Sequence, residues 1–259
     1  MPKPAPALTL ILSAMPSEIR LIQSQIKQPK SGQLACFPWV AGRLRGRRVV
    51  TAVTGVGVTN AAMVTALFVH HFQPSEVLVS GTGSRFNPRI RTGDTVISTQ
   101  TIHHAAGNLT NRGMVYRKVR GPLAGTMTHW YYRPDPRLLK FARACIAGYT
   151  AEPVTANGET YRPRVLTGVV TASDLFGVSD EKIADMKKKL NPDIMEMESA
   201  AIAQVCAQMG VPHLVFRAGS NRTQSDPGND YRLLGQKAAV AAARWTVHFT
   251  GCLAAAARA

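Results

Sequence analysis

The sequence predicts an α/β fold whose strands are buried on both faces. Two observations carry this: short apolar runs alternate with helix-patterned segments from end to end, and 45% of the 259 residues are hydrophobic, enough for a sizeable core. No composition shift marks a boundary, so residues 1–259 are read as a single domain.

Leu8 to Ser13 is the first strand, and Ser17 to Gln28 the helix after it, with Ser17 as its cap. Arg48 to Val53 is the next strand, followed by a helix from Thr59 to Phe72 whose apolar stripe runs through Ala62, Leu67 and Val69. Val77 to Ser80 and Asp94 to Thr99 are two further strands. Arg164 to Thr171 (strand), Asp180 to Leu190 (helix), Glu198 to Met209 (helix) and His213 to Ala218 (strand) continue the alternation, and Tyr231 to Leu253 forms a long closing helix. Residues 105–136 follow neither period and read as an irregular excursion, while the Ala-rich tail at 254–259 is expected to fray.

Composition excludes several function classes. The longest apolar stretches fall far short of the roughly 20 residues a membrane-spanning helix needs, so no membrane association is expected. A net charge of +16 would suit an anionic partner, yet the basic residues are scattered. The dense runs at Arg43–Arg48 and Lys187–Lys189 lack interleaved aromatics, and no specific nucleic-acid partner is expected. Cys36, Cys145, Cys206 and Cys252 have neither disulfide-framework nor metal-ligand spacing. The opening residues superficially resemble a secretory leader, but three prolines and a single lysine argue for a first buried strand, and hence a cytoplasmic protein.

Four places bring small or acidic residues to strand ends, where open α/β sheets bind ligands. Ser13-Ala14-Met15-Pro16-Ser17-Glu18 puts a carboxylate in a first helical turn, where it could also merely complement the macrodipole. Thr54-Gly55-Val56-Gly57 is a glycine-bearing turn without the third glycine of a dinucleotide fingerprint; its backbone N–H groups suit a sugar or an anion. Ser80-Gly81-Thr82-Gly83-Ser84 reads as a small-residue turn after its strand. Met195-Glu196-Met197-Glu198 fits two readings: an extended segment with its acids on opposite sides, or a helix N-terminus with acids in its first turn.

Taken in order, these motifs with Thr92-Gly93-Asp94-Thr95-Val96 and Arg217-Ala218-Gly219-Ser220-Asn221 resemble the purine nucleosidase and phosphorylase superfamily. The branch they resemble most is methylthioadenosine/S-adenosylhomocysteine nucleosidase. The resemblance runs from about Leu8 to Phe249, and Met-Glu-Met-Glu before an Ala-rich helix is its most specific element. It implies a three-layer α/β/α domain around a twisted mixed sheet, commonly a homodimer, that cleaves the purine–ribose bond without metal or organic cofactor. Glu18 then aligns with the acid that activates water, a natural general base. Glu198 aligns with the residue that holds ribose hydroxyls and Met197 with the one beneath the sugar, with Glu196 a second acid. Thr82 and Gly83 border the nucleoside, Ser220 is a further substrate-binding candidate, and Phe176 is the candidate to stack on the base. Hydrolysis is expected over phosphorolysis because Glu18 repels phosphate, although Arg20 and Arg85 are near in sequence.

One departure concerns the base. Where the adenine-selective branch has an aspartic acid that protonates purine N7, this chain has Asn221, which cannot supply a titrating proton. Asparagine near this position recurs in family members acting on 6-oxopurines, such as futalosine hydrolase and some purine nucleoside phosphorylases. Three readings follow: a 6-oxopurine nucleoside bridged by the amide, a slow adenine nucleosidase, or substitution by Asp226. A nucleoside-binding protein without catalysis is the remaining alternative.

Overall fold

Alternate residues of the first strand go to opposite sides: Ile11 packs into one buried cluster with Ile19, Phe216, Trp245 and Phe249, and Leu10 and Leu12 into another with Val64, Phe68 and Ile202. A strand with two apolar faces needs helices on both, and this gives the three layers. The computed structural model describes residues 7–111, 113–121, 129–175, 179–222 and 227–257. In chain order these form β1 (Leu8–Ser13), α1 (Pro16–Ser24), β2 (Lys27–Leu34), β3 (Phe37–Leu44), β4 (Arg47–Val53), α2 (Val58–Phe72) and β5 (Glu76–Arg85). There follow β6 (Thr95–His103), β7 (Gly107–Thr110), β8 (Gly113–Tyr116), α3 (Pro136–Cys145), β9 (Val154–Ala156), β10 (Glu159–Tyr161) and β11 (Val165–Ala172). The chain continues through α4 (Asp180–Lys189), β12 (Ile194–Glu196), α5 (Ser199–Gln208), β13 (His213–Arg222) and α6 (Pro227–Ala256).

The main sheet has nine strands in the order β12-β11-β6-β13-β5-β1-β4-β3-β2. It is mixed: β4, β1, β5 and β13 are parallel neighbours, whereas β13 with β6, and β2, β3 and β4 in series, are antiparallel. Short β12 also pairs with β5, Met195 opposite Ser84, so β5, β13, β6, β11 and β12 close on themselves like a small barrel. That closure brings Met195 and Glu196 beside the end of β5. Among the described residues no helix is long and apolar enough to cross a membrane.

Several sequence expectations are corrected. Helix α1 begins at Pro16 with Met15 as its cap residue, not Ser17, and ends at Ser24. Gln28 precedes a proline, which disfavours helical backbone, and takes φ 52° at the start of β2. The buried face of α2 is Ala61, Val64, Thr65, Phe68 and Val69; Ala62 and Leu67 are only partly covered. The segment Ser80 to Ser84 is not a turn but the continuation of β5, whose glycines mark close approach of other chain segments. Residues 105–136 are less irregular than expected: they carry the β7–β8 hairpin and are pinned to the sheet by Tyr132 opposite Thr101. Helix α6 continues through Ala256.

Candidate active site

A cavity of about 340 Å3 opens where β1, β5, β12 and β13 end, lined by Glu18, Thr82, Gly83, Glu196, Met197, Glu198, Ser220 and Asn221 among others. The structure thus gathers every expected site residue except Phe176, which lies outside the described residues, as does Asp226.

Glu18 sits in the first turn of α1, where its Oε2 accepts from the backbone N–H groups of Ala14 (3.0 Å) and Met15 (3.1 Å). Its Oε1 accepts from Thr82, through the amide (2.7 Å) and the hydroxyl (2.9 Å). The carboxylate therefore both caps its helix and reaches the cavity wall. It is 1% exposed, and burial pushes its pKa above the ordinary carboxylate range against the opposing pull of Arg217.

The Met-Glu-Met-Glu segment matches neither simple reading. Glu196 ends β12, and Glu198 is the cap residue of α5. The chain turns between them because the Glu196 carboxylate accepts from the backbone N–H groups of Glu198 (3.0 Å) and Ser199 (3.0 and 3.1 Å). Both acids then meet one cation, Arg217, whose Nη2 lies 2.5 Å from Glu196 Oε2 and 3.2 Å from Glu198 Oε2. The other oxygen of Glu198 accepts from Gly57 N at 2.9 Å. Gly57 has φ 98°, which a side chain would strain, and this conformation aims its N–H at Glu198.

Arg217 was missed as a site residue, although an arginine in the apolar run of β13 is itself a signal, since buried charge demands partners. It is fully buried; burial opposes its charge, but Glu196, Glu198 and Glu18 outweigh that and raise its pKa. Burial likewise pushes Glu196 up, with Arg217 opposing. Glu18 and Glu196 are thus both pushed toward their protonated forms beside one guanidinium. Arg20 and Arg85 do not line the cavity. Gly81 lets the cluster form: a Cβ there would stand 2.3 Å from Arg217 Nη1 and 2.9 Å from Glu18 Oε1.

Asn221 is the penultimate residue of β13 and is 1% exposed. Its Nδ2 donates to the Arg222 carbonyl (3.2 Å) and to Ser84 Oγ (3.0 Å), and its Oδ1 accepts from Ser220 Oγ at 2.8 Å. A carbonyl only accepts, so the amide nitrogen must face Arg222. Both amide hydrogens are then spent inside the protein. The expected bridge from this amide to a keto oxygen and N7 is therefore corrected: Asn221 offers a ligand an acceptor and no donor.

Two more lining residues escaped the sequence reading, Ser84 and Tyr231. The Tyr231 hydroxyl lies 3.4 Å from Thr82 Oγ1 and 3.6 Å from Met15 Sδ. Across the cavity, Leu175 is carried by a loop in which Ser173 Oγ accepts from Leu175 N (3.2 Å) and pairs with His104 Nε2 (2.6 Å). Burial depresses the His104 pKa to about 3, so the imidazole is neutral and accepts the serine proton. Asp174 ties the same loop to α2 by accepting from Val58 N at 2.8 Å. Among the described residues no group of His, Cys, Asp or Glu is arranged to hold a metal ion.

Known proteins share this architecture and sequence. A 5'-methylthioadenosine/S-adenosylhomocysteine nucleosidase of Geobacillus kaustophilus is 31% identical over 231 residues, 88% of this chain and 90% of that protein. One from Anoxybacillus flavithermus is 32% identical over 232 residues, 89% and 92% of the two chains. The Neisseria meningitidis nucleosidase of the same name, crystallised with methylthio-immucillin-A, superposes with a TM-score of 0.80 at 26% identity, covering 93% of this chain and 97% of that one. Futalosine hydrolase of Helicobacter pylori shares the fold at a TM-score of 0.78 and 17% identity, with 94% and 97% covered. The sequence pattern of the phosphorylase superfamily matches residues 9–251, and to that superfamily this chain belongs.

Proposed function

We propose that this protein hydrolyses the N-glycosidic bond of a purine ribonucleoside of the methylthioadenosine or S-adenosylhomocysteine type. The observation that carries the reading is the convergence of Glu18 and Glu198 on Arg217 at the wall of one cavity. Glu198 accepts hydrogen bonds from ribose hydroxyls, and Met197 lies against the sugar. Glu18 takes a proton from water as the water oxygen bonds to the anomeric carbon. The C–N bond breaks with its electron pair passing to the purine, which is protonated from solvent; Glu18 then returns its proton to solvent. The carboxylates also face the cationic character that develops on the sugar.

Phosphorolysis is disfavoured by the same cluster. A phosphate here would meet three carboxyl groups and one guanidinium, and at ~5 Å each pair of unit charges costs roughly 3 kcal/mol for an effective dielectric of about 20. The experiment is incubation with methylthioadenosine, S-adenosylhomocysteine and inosine, with and without phosphate, followed by chromatography for free base. Release in phosphate-free buffer is expected. Release that requires phosphate would overturn hydrolysis, and binding without release would favour a non-catalytic nucleoside-binding protein.

The protein works as a cytoplasmic homodimer of single-domain subunits. Its four free thiols suit a reducing compartment. The excursion carries exposed Leu109, Val115 and Trp130, and Val115 and Trp130 line an open groove of about 530 Å3 with Ile102, Met114 and Tyr131, an aromatic-rich surface of the kind enriched at interfaces. Sedimentation equilibrium tests the assembly: Trp130→Glu should yield monomers, and a monomeric native protein would remove the proposal.

A further inference from the structure

The cavity wall at the ends of β5 and β13 carries Ser84, Ser220 and Asn221, and Asn221 cannot donate to a base bound there. Its neighbour can. Ser84 is 7% exposed, lines the cavity and accepts from Asn221 Nδ2 at 3.0 Å. That bond occupies a lone pair of Ser84 Oγ and leaves the hydroxyl hydrogen; among the described residues no protein acceptor receives it. The Ser84 hydroxyl and the second lone pair of Asn221 Oδ1 are therefore left as one donor and one acceptor on residues that line the same cavity.

Resting on the hydrolase reading above, we propose that Ser84 is a further catalytic residue, whose hydroxyl donates to purine N7 while Asn221 Oδ1 accepts from the 6-amino group. The complementarity decides the base. A neutral 6-aminopurine presents a donor at its amino group and an acceptor at N7, which matches the pair. A neutral 6-oxopurine presents two acceptors, so Asn221 Oδ1 would face the lone pairs of the base. During cleavage the electron pair of the C–N bond enters the purine and negative charge reaches N7. A hydrogen bond there strengthens as the bond breaks, so its benefit falls on turnover more than on binding. Ser84 transfers no proton; its hydroxyl stabilises the departing base until solvent protonates it. An amide and a hydroxyl thus share the work of a single carboxylic acid.

The test compares methylthioadenosine with its 7-deaza analogue, in which N7 is replaced by C–H, on native protein and Ser84→Ala. The kcat for methylthioadenosine should fall about tenfold in the variant with KM within threefold, the size of one hydrogen bond. Calorimetry should find native protein preferring adenine over 7-deazaadenine and Ser84→Ala losing most of that preference. This ligand-side comparison on the native protein does not depend on the variant folding. An adenine preference untouched by the variant would overturn the Ser84 assignment, and so would native kcat/KM favouring inosine over methylthioadenosine. Those outcomes leave base release intact and so spare the hydrolase reading. Failure to release base from any purine ribonucleoside would overturn hydrolysis instead, and the calorimetric comparison would still decide the role of Ser84.

Discussion

Arg217 and Glu196 form a fully buried ion pair at 2.5 Å, and the same guanidinium nitrogen holds Glu198 at 3.2 Å. Removing the cation leaves three buried acids without their cation. Arg217→Gln should therefore lower unfolding stability by about 3–5 kcal/mol, the range for breaking a buried pair from one side. Urea denaturation at neutral pH measures it. A loss below about 1 kcal/mol would mean that protons, not Arg217, neutralise the cluster.

Glu18→Gln should abolish base release while ligand affinity stays within a few-fold, because an amide cannot take the water proton; its NH2 must also face backbone N–H donors, so some folding stability is lost as well. Equal loss of binding and turnover would show that Glu18 holds the ligand. The native pH profile follows from the raised pKa. The base must be ionised, so kcat should fall as pH drops through a value above the usual carboxylate range, leaving the acid limb displaced toward neutrality. An acid limb near pH 4 would exclude Glu18 as the titrating group.

Glu198→Gln keeps the hydrogen bond from Gly57 but loses the negative charge beside the sugar. Turnover should drop about 100-fold or more, by analogy with other preorganised electrostatic groups. A 2′-deoxynucleoside should suffer on native protein and lose little further in the variant. Equal native turnover of deoxy- and ribonucleosides would count against ribose recognition by this residue.

Asn221→Asp puts a carboxyl group between Ser220, Ser84 and the Arg222 carbonyl. Burial favours its protonated form, and a carboxyl turned away from the Arg222 carbonyl can give its single proton to N7. Turnover of methylthioadenosine should rise at least tenfold. Unchanged kcat would indicate that departure of the base does not limit the reaction.

The sequence made the acids, the threonine and the asparagine visible because each sits in a short motif at a strand end. Ser84 and Arg217 were less legible for different reasons: Ser84 belongs to a strand that runs further than its apolar stretch, whereas Arg217 sits inside one and its acidic partners come from another part of the chain. Small polar residues after Ser80 read as a turn, yet they continue β5 because β13 and β12 flank it on either side. The hairpin of β2 and β3 was missed entirely. Lys27–Leu34 is an edge strand, mostly exposed, so its composition carries no burial pattern. The opposed-acids reading of Glu196 and Glu198 failed because backbone amides, invisible to side-chain periodicity, turn the chain between them.

Gly81 is a spacer made of nothing. The carboxylate on α1 and the guanidinium on β13 come from opposite sides of β5, and they share a neighbourhood because that strand carries no methyl group where their heads pass. Their mutual approach is therefore written into the main chain. An alanine at this point would act as a wedge, forcing the Arg217 guanidinium and the Glu18 carboxylate to shift without changing the identity of any polar side chain in the site. The tuning of the proposed base is, in that sense, a property of the sheet.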